Sequence, residues 1–367
     1  MNRLMIMLAC VLCVICVQST KAADPELEKL NPIDRAVIQK LLAIDPKLQW
    51  SRSSKERVTY VSFSRSAATT EAIALLPRLP SLSQLAVPVR DAESRDHSPV
   101  IMQPLGQCGS LRELDLGIAK HHTAADWKSL PVLRQVTKLR ISDHAAGGIQ
   151  MLDRFPKVMT VSISASNLER LNVDQFHQLT ELEELTLRLL KSPWDGQGLT
   201  NLKACAKLEA LVIGGEGLTD VALREIGTLT TLQSLTLISG KFTPEGFAAL
   251  TDLNSFTCTE KWFNDDLAMG LKNCHKLKQL DVTNTEVNGA CFKVLATLPL
   301  ENIKASQIRL EYLHLLKECK TLSGLRLDAK TKTEIELQDR IWETIGQRAV
   351  LGRTWTGNKG DAPKSGK

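Results

Sequence analysis

The chain reads as an α/β solenoid, and two observations predict it. The first is a six-residue phrase (apolar, two free positions, apolar, one free position, apolar) that recurs twelve times between Val58 and Leu327. The second is its spacing. Copies begin at residues 58, 82, 111, 136, 158, 182, 208, 232, 253, 277, 300 and 322, in steps of 21 to 29 residues. That length holds one short strand and one return segment. No such unit buries its apolar face alone, so the units must stack into a continuous core.

The clearest copies are Leu111-x-x-Leu114-x-Leu116, Leu182-x-x-Leu185-x-Leu187, Leu208-x-x-Leu211-x-Ile213, Leu232-x-x-Leu235-x-Leu237, Leu277-x-x-Leu280-x-Val282 and Leu322-x-x-Leu325-x-Leu327. Side chains alternate faces along a strand, so the apolar residues point inward and the free ones outward. A phrase of this form at this period is the signature of a leucine-rich-repeat solenoid. About twelve repeats are expected, with a parallel sheet on the concave side and helices on the convex side. Thr219–Ile226 reads as one such helix, with a threonine cap. Thr243-Pro244-Glu245 starts another, with proline at its first position. Thr123 to Asp126 has the form of a capping box. The pattern resembles the ribonuclease-inhibitor-like and cysteine-containing repeat subclasses. That resemblance implies a sharply curved horseshoe and a binding role, and it names no partner.

The ends read differently. Arg3, the apolar run Leu4–Val17 and the small-x-small site Thr20-Lys21-Ala22 make residues 1–22 a secretory signal peptide. The run is shorter than the roughly 20 residues a spanning helix needs, so no membrane span is expected after cleavage. Residues 23–56 are expected to form an N-terminal helical cap and 57–328 the solenoid. A cap helix is expected over 329–346 and a disordered tail over 347–367. Asn31-Pro32-Ile33-Asp34 opens the first cap, with Ile33, Val37, Ile38, Leu41 and Leu42 as its apolar stripe. Leu337, Ile341 and Ile345 mark the second.

The formal net charge is +5, and two of those charges, Arg3 and Lys21, leave with the signal. So mild a balance gives no case for a nucleic-acid partner. Of nine cysteines, Cys10, Cys13 and Cys16 also leave. Cys108, Cys205, Cys274 and Cys319 each stand three residues before the first leucine of a phrase. A repeating slot implies a repeating environment, so buried thiols are expected rather than a disulfide framework. The mature chain holds no Cys-x-x-Cys, so a thiolate metal knuckle has no support.

Candidate partner-binding residues follow from the outward positions. They are Asp115 facing Arg140, Thr186 in a hydroxyl-rich middle, and Lys304 beside Arg326 as a basic end. Trp194 and Trp262 fall just after strands, on one rim. Phe263 takes a core slot, which turns Trp262 outward, either as a contact residue or as a cover for the next repeat. Tyr60 is the only aromatic residue on the free positions, which argues against stacking on sugars. Loops after three neighbouring strands carry His97, then His121 and His122, then Asp143 and His144. Imidazole and carboxylate together suit a divalent transition metal.

Catalytic signatures are missing: there is no Gly-x-Ser-x-Gly, His-Glu-x-x-His, P-loop or dinucleotide fingerprint. The resulting expectation is a non-catalytic protein-binding scaffold without a cofactor. It is secreted or held in the periplasm or cell envelope, and the lack of an Asn-x-Ser/Thr sequon leans bacterial. Two alternatives stand beside it: a metal-dependent protein using the His/Asp rim, and an envelope protein that self-associates.

Overall fold

The computed structural model describes residues 25–64, 68–87, 102–118, 130–143, 148–166, 173–306 and 308–327. Its strands are β1 (Gln49–Arg52), β2 (Val58–Ser62), β3 (Gln84–Val87), β4 (Glu113–Ile118), β5 (Lys138–Asp143) and β6 (Thr160–Ser166). They continue with β7 (Glu184–Leu190), β8 (Ala210–Gly215), β9 (Ser234–Leu237), β10 (Ser255–Cys258), β11 (Gln279–Val282), β12 (Asn302–Ala305) and β13 (Gly324–Leu327). All thirteen form one sheet in chain order.

Strands β2 to β13 fall on the twelve phrases, and each pairs in parallel with the next. The register repeats without a slip. The middle apolar residue of each phrase aligns with its counterpart, as in Leu139↔Val161, Val161↔Leu185, Leu185↔Leu211 and Leu211↔Leu235. A slip of one residue would turn every inward leucine to solvent, so burial pins the register. The three apolar positions are buried along the stack, save Leu327 at its last strand, which is partly buried; Leu182, Leu185 and Leu187 are at most 1% exposed. The chain is a leucine-rich-repeat solenoid.

The convex side departs from the expected run of helices. Among the described residues of the convex side, α-helix forms as short pieces: Thr70–Leu75, Asp220–Ile226, Pro244–Phe247, Asp265–Met269 and Phe292–Leu295. Other described returns are 3-10 segments, Gln103–Gln107, Gly148–Arg154, Val173–Gln178, Leu199–Ala204 and Leu310–Glu318, and two of the α-helices run on into 3-10 turns, Leu76–Arg78 and Gly270–Asn273. Capping explains part of the division. Thr69, Thr219 and Asn264 accept backbone N–H groups and start α-turns. Leu199–Ala204 instead follows Gly198 at φ +94°, with no side-chain cap. A 3-10 turn rises about 2.0 Å per residue against 1.5 Å, so fewer residues cross the same layer. Among the described residues the convex side is thus a mixture of short α-helices and 3-10 segments rather than helices in every repeat.

The N-terminal cap helix, Pro32–Ile44, starts where expected. Asn31 Oδ1 accepts the N–H groups of Ile33 at 2.9 Å and Asp34 at 3.2 Å. The stripe is corrected at its first residue. Ile33 is 61% exposed, and the buried positions are Asp34, Val37, Ile38 and Leu41. That spacing of i, i+3, i+4, i+7 is one helix face. Asp34 is tolerated there because Val58 N–H donates to it at 2.7 Å and Arg57 meets it at 3.0 Å. Strand β1 was not anticipated. It runs antiparallel to β2, pairing Gln49 with Ser62, and its register shifts between Ser51 and Arg52. A short, irregular edge strand ending in a charge discourages further strand addition. The signal peptide, the second cap helix, the tail and the Thr123–Asp126 box lie outside the described residues.

All six described cysteines are free and buried. In the repeating slot, Cys205 Sγ donates to Phe176 O at 3.2 Å and Cys274 Sγ to Leu253 O at 3.5 Å. Burial pushes the thiols of Cys108, Cys205, Cys274 and Cys319 up to about 11 and Cys258 up to about 12. Cys291 is raised further, by burial and then by Asp265. The thiolate is the reactive form. These six thiols are therefore expected to stay silent toward a disulfide reagent at pH 8 in the folded chain and to react fully in guanidinium. Rapid reaction of any one in the native state would overturn their assignment to the core.

Candidate functional site

The outward face is an ordered set of side-chain rows. One unbroken row runs Asp115↔Arg140↔Ser162↔Thr186↔Val212↔Thr236↔Thr257↔Asp281↔Lys304↔Arg326. Beside it stands Glu113↔Lys138↔Thr160↔Glu184↔Ala210. Neighbouring strands are about 4.8 Å apart, so each side chain faces its row-mates.

Asp115 faces Arg140 and Glu113 faces Lys138 as the spacing predicts, but one ion pair runs diagonally. Arg140 Nη2 lies 3.2 Å from Glu113 Oε1. Burial raises the Asp115 carboxyl above its ordinary value; Arg140 opposes that and Glu113 adds to it. An acid whose folded value is raised favours the folded state in its protonated form. The cost is absent below the unfolded value of about 4 and grows as pH rises through the folded value. Asp115→Asn should therefore raise the urea midpoint at pH 7, with the gain vanishing toward pH 3. A lowered midpoint at pH 7 would show that Arg140 outweighs burial.

Lys304 and Arg326 align as neighbours, yet the basic end is partly neutralised. Lys304 Nζ sits 3.2 Å from Asp281 Oδ2. An exposed pair of this kind contributes under about 1 kcal/mol, so its effect is on the local field. Thr186 stands half-buried between Ser162 and Val212 in the uncharged middle.

Trp194 is not the rim anchor expected. Trp194 is 5% exposed, and its Nε1–H donates to Gln197 O at 3.0 Å. With its one polar atom satisfied locally, the indole joins the core without penalty. Trp262 is half-buried. It packs against Phe242 at 5.6 Å and Phe263 at 5.9 Å between ring centroids, and its indole nitrogen has no hydrogen-bond partner among the described residues. Of the two alternatives, it takes that of a cover, over an aromatic cluster. Of the metal candidates, His97, His121, His122 and His144 lie outside the described residues, as does the side chain of Asp143 at the end of β5. Among the described residues, no group of three or more His, Cys, Asp or Glu side chains is placed to hold a metal ion.

No family model matches the chain, and no curated protein matches it. Solved structures do align. An internalin (inlF) of Listeria monocytogenes is 15% identical, covers 90% of this chain and 98% of its own, and gives a TM-score of 0.45. Internalin C2 of the same organism is 14% identical over 76% of this chain and 96% of its own, at 0.35. TLR13, in a complex with ssRNA13, is 15% identical over 74% of this chain, at 0.46. The match spans 43% of the TLR13 chain.

Strand length adds residues that the six-residue phrase does not mark. β6 and β7 run on past it and create a further outward row, Gly117↔Ser142↔Ser164↔Arg188↔Gly214. Leu190 follows at the end of β7, 62% exposed. The signal was in the sequence as continued alternation, Leu185-x-Leu187-x-Leu189, beyond the last apolar slot of the phrase.

Proposed function

We propose that the chain is a non-catalytic protein-binding scaffold, exported by its N-terminal signal, whose partner lies against the outward face of the sheet and the rim after the strands. The observation that carries this reading is the unbroken register of the sheet. Fixed strands hold the outward side chains in place before any partner arrives, so binding orders few residues and loses little entropy. No described helix is long and apolar enough to cross a membrane, which is compatible with release after cleavage.

The test is affinity capture from the exported fraction with three baits: the full chain, Thr236→Arg and Lys304→Glu. A partner held by the unaltered chain and lost from Thr236→Arg supports binding through the sheet. Retention by all three moves the interface off the sheet and overturns its placement there. Concentration-dependent self-association in sedimentation, with no foreign partner, would favour the self-assembling alternative.

A further inference from the structure

The outward surface of β7 carries a charge and an apolar side chain with nothing set against them among the described residues. Arg188 is exposed and makes no hydrogen bond or ion pair among the described residues. Glu184, four residues back on the same face, stands about 13 Å away along the strand. Glu184 and Glu216, in the turn after β8, make no ion pair with it. On the flanking strands, the outward positions Thr160, Ser162 and Ser164 of β6 and Ala210, Val212 and Gly214 of β8 hold no acid. Two residues on, and therefore on the same face, is Leu190. Of the exposed large apolar residues described, Ile33, Val132, Met159 and Leu190, only Leu190 lies in a strand.

The neighbours suit a ligand that is part acid and part apolar. Ser142 and Ser164 are exposed in the Arg188 row, and their hydroxyls have no hydrogen-bond partner among the described residues. On the other side is Gly214, where an added Cβ would lie 2.6 Å from Ile238 Cβ, so Ile238 leans over the space a side chain would fill. A guanidinium fork beside free hydroxyls offers several donors to a carboxylate. Arginine with an adjacent apolar contact is also the composition of interface hot spots.

Resting on the protein-binding reading above, we infer that Arg188 and Leu190 are the anchor pair of the interface. They take a segment of a protein partner in which a carboxylate stands beside an apolar side chain. Charge complementarity selects the acid, and the exposed leucine selects its apolar neighbour.

A random peptide library displayed on phage, selected on the full chain, supplies the probe. Retained peptides are then measured against the unaltered chain, Arg188→Glu, Leu190→Ser and Thr236→Arg. All three changed side chains face solvent wholly or in part, so thermal melts close to that of the unaltered chain show that each variant is folded. The expected peptides place Asp or Glu next to Leu, Ile, Val or Phe. Arg188→Glu should weaken them about tenfold or more, and replacing the peptide's acid with lysine should restore binding to that variant. Leu190→Ser should weaken them without that rescue. Peptides that bind Arg188→Glu undiminished but fail on Thr236→Arg would overturn the anchor pair and leave the scaffold reading standing. If no peptide is retained, the anchor pair falls, while the scaffold reading is decided by the affinity capture above.

Discussion

Asp265→Ala is expected to destabilise the fold by about 4 kcal/mol, because it strands a set of backbone donors in the next repeat. Asp265 is 8% exposed, in the first turn of the helix Asp265–Met269. Its Oδ2 accepts Asn288 N–H at 2.8 Å, while Oδ1 accepts Gly289 N–H at 3.1 Å and Cys291 N–H at 2.8 Å. Each buried N–H left without an acceptor costs about 1–3 kcal/mol, and water relieves part of the sum. The turn has little room to find substitutes. Gly289 sits at φ +109°, and a Cβ there would lie 2.7 Å from Ile308 Cγ2. Asp265→Asn keeps the Oδ1 bonds and sets its amide against Asn288 N–H, so about half the loss is expected. Asp220 offers a contrast: it holds Thr243 N–H at 2.9 Å and Thr243 Oγ1 at 2.7 Å, but in exposed surroundings. Asp220→Ala should cost about 1 kcal/mol. Urea unfolding of the three variants checks the order. Repeats couple mainly to their neighbours, so hydrogen exchange in Asp265→Ala should quicken in β11 to β13 before β2 to β6. A loss under about 1 kcal/mol would mean that the carboxylate is replaceable by water.

The strands were legible because one physical rule repeats. Leucines at three inward positions must be buried together, and that requirement specifies strand, register and neighbour at once. The burial of the cysteine slot followed from the same periodicity. The convex side was less legible. Thr219 and Asn264 start α-turns, but nothing at Gly198 says whether the return closes i→i+3 or i→i+4 bonds. β1 was missed because Gln49–Arg52 carries no apolar alternation; its partner β2 makes it a strand. Trp194 was misread because position after a strand says nothing about which way a loop folds back. There the outcome turned on a local carbonyl, Gln197 O, that satisfies the indole. Arg188 and Leu190 lie beyond the central free position of the phrase, where only the extra length of β7 extends the outward face.

Phe247→Ala is expected to cost about 4 kcal/mol as well, by a different route. Phe247 is fully buried at the end of the helix Pro244–Phe247. It lies edge-on to Phe242 at 5.9 Å, Phe256 at 5.8 Å and Phe263 at 5.5 Å, so one ring joins the convex layer, β10 and the turn that follows it. Large-to-small changes cost most where the site cannot collapse. Here it cannot. A Cβ on Gly270 would lie 2.7 Å from Phe247 Cβ and 2.4 Å from Pro244 O, so the neighbouring segments already touch at the backbone. The space vacated by the ring stays open, and edge-on aromatic contacts worth about 0.5–1.5 kcal/mol each disappear with it. Phe247→Leu keeps most of the volume and should cost about 1–1.5 kcal/mol. Trp262 gives an independent signal, because it packs on Phe242 and Phe263 above the cavity with its indole nitrogen unpartnered among the described residues. Loosening the cluster lets that nitrogen reach water, so the alanine variant's native fluorescence should shift to longer wavelength while the leucine variant's does not. A loss below about 2 kcal/mol with no spectral change would show that the repeat closes over the gap. In that case the aromatic rings merely fill the stack rather than hold it.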